Sequence, residues 1–341
     1  KIDNVTGFAK DKSKFDYEII EKGCKFELKF FFNLNENIEK EIKLGFLQVI
    51  IDLLKNDKVA IGAKTNNGFG KFELISENIF HYFFNSFTDV KNYLSNKPSN
   101  KRLNFNDLTQ RFNIKEDTFK INATLSIKNS IIFRDYYNDG GFDADTSSKK
   151  SNEEYIIPGS SLKGVIRSHC EKIFNYFFLD EELVSMHINN LFGFVSKDKK
   201  NAKKGKLSVK ESTISNVHPY LQTRNKIDRF TGAAISSALF NSLPLYPLNQ
   251  DEESIKISIE VRKPSDTEIG LLLLVLKDIW SGRVAFGGEK NIGRGVLKGI
   301  LAEIEINGNK ILLDSSNKSD SIKQLSPLQK YLDSLVKLGE E

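Results

Sequence analysis

Tyr155-Ile-Ile-Pro-Gly-Ser-Ser-Leu-Lys-Gly-Val-Ile-Arg-Ser168 is an extended segment that turns at Pro158-Gly159 and runs straight into a helix. Pro and Gly end the extended run. Ser160 or Ser161 can accept a hydrogen bond from the first free backbone N–H groups, and Leu162, Val165, Ile166 and Ile173 recur at helical spacing. A helix start of this kind offers unpaired N–H groups and the positive end of the helix dipole. Lys163 and Arg167 lie four apart on one face beside both hydroxyls, a set that suits phosphate better than carboxylate. Taken alone, the same residues describe an ordinary capped helix with solvated basic side chains; the rest of the chain shifts the balance.

The chain has 341 residues, enough for one large or two medium domains with real cores. Its 39% hydrophobic and 28% charged content fits a soluble globular protein. No apolar run is long enough to cross a bilayer, and the N-terminus does not look like a secretory signal. Cys24 and Cys170 stand far apart with no ligand spacing around them, so zinc and a disulfide framework are poor fits and a reducing, cytoplasmic setting is expected. The net charge of +5 is modest but concentrated, with Lys197, Lys199, Lys200, Lys203, Lys204 and Lys206 in one Gly-containing loop. A lysine run is usually a solvated loop, and only its company makes nucleic acid plausible.

The sequence repeats itself. Ile2-Asp-Asn-Val-Thr-Gly-Phe-Ala9 resembles Ile227-Asp-Arg-Phe-Thr-Gly-Ala-Ala234, and Val59-Ala-Ile-Gly-Ala-Lys-Thr-Asn-Asn-Gly-Phe-Gly70 resembles Val284-Ala-Phe-Gly-Gly-Glu-Lys-Asn-Ile-Gly-Arg-Gly295, both at an offset of 225 (227 − 2 and 284 − 59). Gly45 and Gly270 keep the register in between. One register held across separated motifs means two copies of one structural unit. The first copy opens at its Ile-Asp-x-x-Thr-Gly element with no front half and no initiator Met. The expectation is therefore that the chain is an ordered or excised part of a longer polypeptide, or that a partner chain supplies the missing strands.

In chain order, Gly23 to Asn33 alternates as a half-buried strand should, and a helix is expected over 38–55. The Gly62 to Gly70 loop and a strand through Phe72 and Leu74 follow. Residues 79–96 read as a helix bridging the copies, and 95–106, polar and containing Pro98, as a linker. The second copy predicts a strand over 118–127, a polar loop over 134–154, the Pro158 helix, and short strands at 207–209 and 213–217. A strand at 255–261, a helix over 266–280, the Gly287 to Gly295 loop and a strand over 296–306 complete it. Stripped of loops this is β-α-β-β-α-β, so the expected fold class is α+β, tandem ferredoxin-like units with long inserted loops. The expected divisions are 1–78 (the second half of a first unit), 79–115 (bridging helix and linker), 116–308 (a complete second unit) and 309–341 (a tail with an amphipathic helix from about Ile322).

Beyond the Pro158 helix start, chemistry has two places to live. The Gly287 to Gly295 loop follows a helix and opens a strand, the reverse of a nucleotide-binding loop, and no Gly-Lys-Ser or Gly-Lys-Thr follows it, so no nucleotide cofactor is expected. Gly287 and Gly288 would let the backbone approach a phosphate or sugar closely, and Lys290, Asn291 and Arg294 would add charge or donors. The loop over 134–145 places Asp135, Asp139, Asp143 and Asp145 just before the Pro158 helix. A carboxylate there could hold a divalent cation or take a proton from a ribose 2′-hydroxyl, although acid-rich loops are more often only solvated. His81, His169, His187 and His218 show no pairing pattern.

Pro158-Gly-Ser-Ser-Leu-Lys-Gly-Val-Ile-Arg167, Leu191-Phe-Gly193, Gly205-Lys-Leu207, the Ile227 to Ala234 element, Leu239-Phe240 and the Gly287 to Gly295 loop together resemble the repeat-associated RAMP family, whose members in this branch form the backbone of type III CRISPR effector complexes. Two copies in one chain are similar to the fused-backbone variants. The resemblance implies contacts to the guide RNA backbone from Ser160, Ser161, Lys163, Arg167, Gly287, Gly288, Lys290, Asn291 and Arg294, with Lys226 and Arg229 on a hairpin thumb that displaces one guide nucleotide per repeat. It implies the same for Lys64 and Asn66 in the first copy, whose loop lacks the arginine. Gly140-Gly-Phe-Asp143 matches the family's catalytic loop, making Asp143 the expected catalytic residue and Asp145 the reserve, with Mg²⁺ or Mn²⁺ as cofactor and no residue assigned as metal ligand. Expected partners are guide RNA, complementary target RNA and other effector subunits, with no membrane. The alternatives are a non-catalytic scaffold of the same complex, or a stand-alone processing endoribonuclease using His169 or His218.

Overall fold

The computed structural model describes residues 11, 18–31, 33, 40–56, 58–80, 82, 84–95, 97, 117–136, 144–177, 180–196, 200–316 and 326–340. By its contacts the chain divides into two compact units, one of Lys1–Lys25, Asn66–Phe69 and Glu116–Glu341, the other of Phe26–Thr65 and Gly70–Lys115.

The larger unit is built on a five-stranded antiparallel sheet of β1 (Thr118–Ile127), β2 (Leu207–Val209), β3 (Ile255–Arg262), β4 (Leu297–Ile306) and β5 (Asn309–Asp314), in the order β5-β4-β1-β3-β2. β1 takes the centre because alternate residues, Phe119, Ile121, Ala123, Leu125 and Ile127, are all apolar and buried. It pairs with β3 on one side (Ile121↔Ile259) and β4 on the other (Ile121↔Ile304). Six helices occur among the described residues: α1 (Lys40–Lys55), α2 (Phe87–Leu94), α3 (Gly159–Phe177), α4 (Glu181–Phe192), α5 (Asp266–Trp280) and α6 (Gln329–Glu340). With α3 between β1 and β2, and α5 between β3 and β4, the order is β-α-β-β-α-β, the ferredoxin-like arrangement, extended by β5 on one edge.

α3 buries Leu162, Ile166, Cys170 and Phe174, spaced by four along one face. α5 starts at a capping box in which Ser265 and Glu268 bond each other's backbone N–H, and it buries Leu271, Leu272, Val275, Leu276 and Ile279. The tail helix α6 docks on α5 through Tyr331 and Leu335; Gly270 permits this, because a Cβ there would lie 2.2 Å from the Tyr331 carbonyl oxygen.

Opposite the register shift at Thr124/Leu125, Gly299 of β4 receives the indole of Trp280 from the end of α5. An added Cβ would meet the ring at 1.9 Å. Gly299→Ala should therefore lower stability by about 1–3 kcal/mol through overpacking, read as a shift in the urea midpoint at unchanged m-value.

The repeat is visible in the backbone. The isolated bridge Ala60↔Lys71 has its counterpart in Ala285↔Val296, and the one-turn 3₁₀ helix Thr65–Asn67 has its counterpart in Lys290–Ile292, each at the same offset of 225 (285 − 60 and 290 − 65). The positive φ angles also match: Gly62 and Gly287 at 91° and 78°, Lys64 and Glu289 both at 57°, Gly68 and Gly293 at 91° and 86°, Gly70 and Gly295 at 70° and 79°. At Gly70 and Gly295 a Cβ would fall 1.8 Å from the Ile61 and Phe286 carbonyl oxygens, so only glycine closes this loop.

Elsewhere the structure differs from the sequence-based expectation. The described residues of the 23–33 segment form no strand, and Phe26, Leu28, Phe30 and Phe31 are exposed. Among the described residues of 79–96 the helix covers Phe87–Leu94 alone, starting where Ser86 and Asp89 make a capping box. The strand expected at 213–217 is split into Ser212–Thr213 and Val217–Pro219, with Asn216 between them at φ 55°. Helix α4, not anticipated, starts at Asp180, whose carboxylate accepts the Glu182 N–H, and buries Val184, Ile188, Leu191 and Phe192. No helix among the described residues is long and apolar enough to cross a membrane.

Candidate nucleic-acid interface

The Gly287 to Gly295 loop follows α5, and its backbone is tied down on both sides. Gly288 N–H donates to the Ile132 carbonyl (2.8 Å) and Gly295 N–H to the Ser130 carbonyl (2.7 Å). Gly287 has no room for a side chain, since a Cβ would lie 2.3 Å from the Ile132 oxygen. Lys290 and Asn291 are exposed at the tip, whereas Arg294 is 4% exposed. Its guanidinium donates to Glu289 (2.8 Å), to the Ser130 hydroxyl (2.6 Å) and to the Gln222 side-chain oxygen, and it lies near the Tyr246 hydroxyl.

Glu289 is the hub of this arrangement. One carboxylate oxygen accepts from Arg134 (3.2 Å), and the other from Arg224 (2.5 Å) and Arg294 (2.8 Å). The carboxyl is pushed up by burial, but the hydrogen bonds from Arg224 and Arg294 outweigh this and hold it below its usual range. The three arginines come from three places. Arg134 belongs to the short strand Arg134–Asp135, Arg224 to the strand Gln222–Arg224, and Arg294 to the glycine loop.

Those two strands lead to the other expected features. Gln222–Arg224 pairs with Phe240–Leu243, and between them Lys226 to Ile235 forms a tight hairpin closed by the Ile235 N–H to Lys226 carbonyl bond (2.8 Å). Inside the turn the Asp228 carboxylate accepts the N–H groups of Phe230 (2.9 Å) and Thr231 (2.8 Å) and the Thr231 hydroxyl (3.1 Å), and these bonds, Thr231's first, hold the carboxyl below its usual range. Lys226 and Arg229 are exposed on this hairpin, and Phe230 at its tip is 99% exposed. Arg134–Asp135 pairs with Thr146–Ser148 at the base of the acidic loop. Asp145 stands at the far end of that loop, exposed, with its carboxylate accepting the Asn241 N–H (2.7 Å). Asp143 lies outside the described residues.

The α3 residues form a second group. Gly159 packs under the carbonyl of Asn67, which a Cβ would approach to 1.9 Å, and Asn66 donates to the Gly205 carbonyl (2.8 Å). Ser160 is exposed and Ser161 half-buried at the helix start. Lys163 donates to the Leu207 carbonyl (3.1 Å), while Arg167 bonds Glu171 (2.9 Å) and Asn189 (3.3 Å). Among the described residues, no hydrogen bond or ion pair joins these α3 side chains to the glycine loop. Lys64 is exposed. His169 bonds Asp278 across α3 and α5 (2.8 Å), and His218 lies against the Tyr246 ring.

Burial, and then the charge of Arg167, lower the Lys163 ammonium to about 8. Between about 8 and its ordinary 10.5 the unfolded chain binds a proton that the folded chain does not, so stability should rise with pH across that window. Lys163→Met should flatten the rise, which thermal melts at neutral and alkaline pH would show.

Sequence reasoning missed the Glu289 cluster. Its signal lies in the repeat, where Glu289 and Arg294 are replaced together by Lys64 and Phe69 at the same offset (289 − 64 and 294 − 69), as expected if the two side chains act as a pair.

The fold and this surface define a ferredoxin-like α+β protein with a clamped glycine loop, a basic hairpin and converging arginines. A family model described as the RAMP superfamily matches residues 1–73 and 138–298, more than half the chain, and the chain belongs to that superfamily. Membership places it among CRISPR-associated RNA-binding proteins. No curated protein matches the chain.

Proposed function

We propose that the protein is a backbone subunit of a type III CRISPR effector complex, binding guide RNA along its glycine loop, hairpin and α3 start, and cleaving complementary target RNA with Asp143. What supports this is the Glu289 cluster, which fixes the glycine loop, the stem of the hairpin and the strand before the acidic loop to one another. Lys290, Asn291, Lys226 and Arg229 are the exposed groups available to phosphates and sugars, with Ser160 at the α3 start. Lys64 and Asn66 would serve the first copy. Gly287 and Gly288 act by letting the loop pack against Ile132 and Arg134, Arg294 by tying Glu289 to Ser130 and Gln222, and Lys163 and Arg167 by holding the Leu207 and Gly193 carbonyls.

In the cleavage step the Asp143 carboxylate takes the proton of a ribose 2′-hydroxyl as its oxygen attacks the adjacent phosphorus. A 2′,3′-cyclic phosphate forms and the O5′ of the next nucleotide leaves, taking a proton from water. A divalent cation bound there would stabilise the charge developing on the phosphate. Among the described residues no group of three His, Cys, Asp or Glu side chains could hold such a cation.

The test is incubation of the guide-loaded protein with complementary target RNA and Mg²⁺ or Mn²⁺. Spaced fragments ending in cyclic phosphate support the proposal, whereas intact target would make the protein a scaffold that binds without cutting.

A further inference from the structure

Glu289 carries one negative charge and faces three guanidinium groups, so the cluster keeps a net excess of two positive charges. They are not distributed evenly. Arg294 is 4% exposed and spends its donors on Glu289, Ser130, Gln222 and Tyr246, whereas the side chains of Arg134 and Arg224 are 42% and 26% exposed. The excess charge is therefore offered to solvent by Arg134 and Arg224.

Their geometry is constrained further. Arg134 reaches Oε1 and Arg224 reaches Oε2 of the same carboxylate, each through Nη2, so the two guanidinium groups stand within the width of one small anion. Arg224 is also held by the Ser242 hydroxyl (3.1 Å) and lies over the Phe240 ring, 4.9 Å from its centre. Gly288 sits beside Arg134, where a Cβ would crowd its Nε at 3.3 Å. Arg134 also bonds the Tyr136 side chain, and the buried Nε of Arg224 lacks an acceptor. Two part-exposed guanidinium groups held at a fixed spacing are the chemistry of bidentate phosphate recognition.

We propose that Arg134 and Arg224 together clasp one phosphodiester of a bound RNA single strand, with Glu289 as the positioning residue that sets their spacing. The clasp stands on the strand before the acidic loop and at the stem of the hairpin. The site rests on the RNA-binding function proposed above and adds two contact residues that no sequence motif marks. In the first copy the hub position is Lys64, so the same clasp cannot form there.

The test uses the full-length protein and a short fluorescein-labelled single-stranded RNA of mixed sequence, with affinity measured across a salt series for wild type, Arg134→Gln, Arg224→Gln and the double variant. Each phosphate contact on a single strand contributes about 0.7 to the slope of log affinity against log salt. The double variant should bind at least about tenfold more weakly and lose roughly 0.7 of slope. Arg134→Lys, which keeps the charge, should restore most of the slope that Arg134→Gln loses. Thermal melts confirm that the variants are folded, and Arg134→Gln, at the most exposed member, keeps the test valid should Arg224→Gln melt early. Wild-type binding with unchanged slope in all variants would overturn the clasp and leave RNA binding standing. A loss in the double variant of roughly twice 0.7 would also overturn it, because the arginines would then serve separate phosphates. Failure of the wild type to bind RNA would instead remove the function on which the clasp rests.

Discussion

Glu289→Ala is expected to lower the free energy of unfolding by about 3–5 kcal/mol, because it leaves a buried guanidinium without a counter-charge. Arg294 is 4% exposed and cannot turn its charge to water, while its remaining partners, Ser130, Gln222 and Tyr246, are neutral. Arg294→Ala should cost less. The carboxylate it abandons keeps Arg134 and Arg224, so no unpaired buried ion remains. The order of the two effects is the informative part, since a simple ion pair would give equal losses. Urea denaturation of both single variants and the double variant would check it, and the double should be more stable than the sum of the singles predicts. An Arg294→Ala loss larger than that of Glu289→Ala would show that the hub has been placed on the wrong residue. The same cluster gives a pH dependence. The Glu289 carboxyl sits below its ordinary 4.5, so its contribution is complete above that value and is lost as the pH falls through its folded-state value.

Asp143→Ala should reduce target cleavage by about 10²–10⁴-fold, the range associated with removing a general base, and leave RNA affinity unchanged. Asp145→Ala should behave differently. Its carboxylate accepts the Asn241 N–H at the start of the strand beside the acidic loop, so its loss should loosen that strand at a cost of about 1 kcal/mol. Single-turnover cleavage and binding, measured on the same preparations, separate the two roles. Full cleavage by Asp143→Ala would remove that residue from the chemistry, and loss of cleavage by Asp145→Ala at unchanged stability would put the reserve carboxylate in its place.

The parts of the fold that were legible in the sequence share a short-range cause. β1 and β3 alternate strictly, α5 announces itself with Ser265 and Glu268, and the glycine loops repeat because backbone closure at Gly70 and Gly295 excludes any side chain. What was not legible depends on partners distant in the chain. The 23–33 segment has strand chemistry, but its described residues form no strand and leave Phe26, Leu28, Phe30 and Phe31 exposed. The Phe-rich run from Ile79 has helical spacing, but helix α2 starts after Ser86, where a capping box closes its first turn. At the site, the exposed residues Lys226, Arg229, Lys290 and Asn291 could be named from motifs. The network beneath them could not, because Arg134, Arg224 and Glu289 are brought together from positions up to 155 residues apart.

The central claim is that this chain holds a single RNA strand by its phosphates, and the most direct test is the nucleic acid that accompanies the purified protein. Extracted, sized and treated with nucleases, it should prove to be a ribonuclease-sensitive, deoxyribonuclease-resistant strand that is released as salt is raised. A protein that purifies free of polynucleotide, and takes up none when RNA is supplied at low salt, would contradict the account.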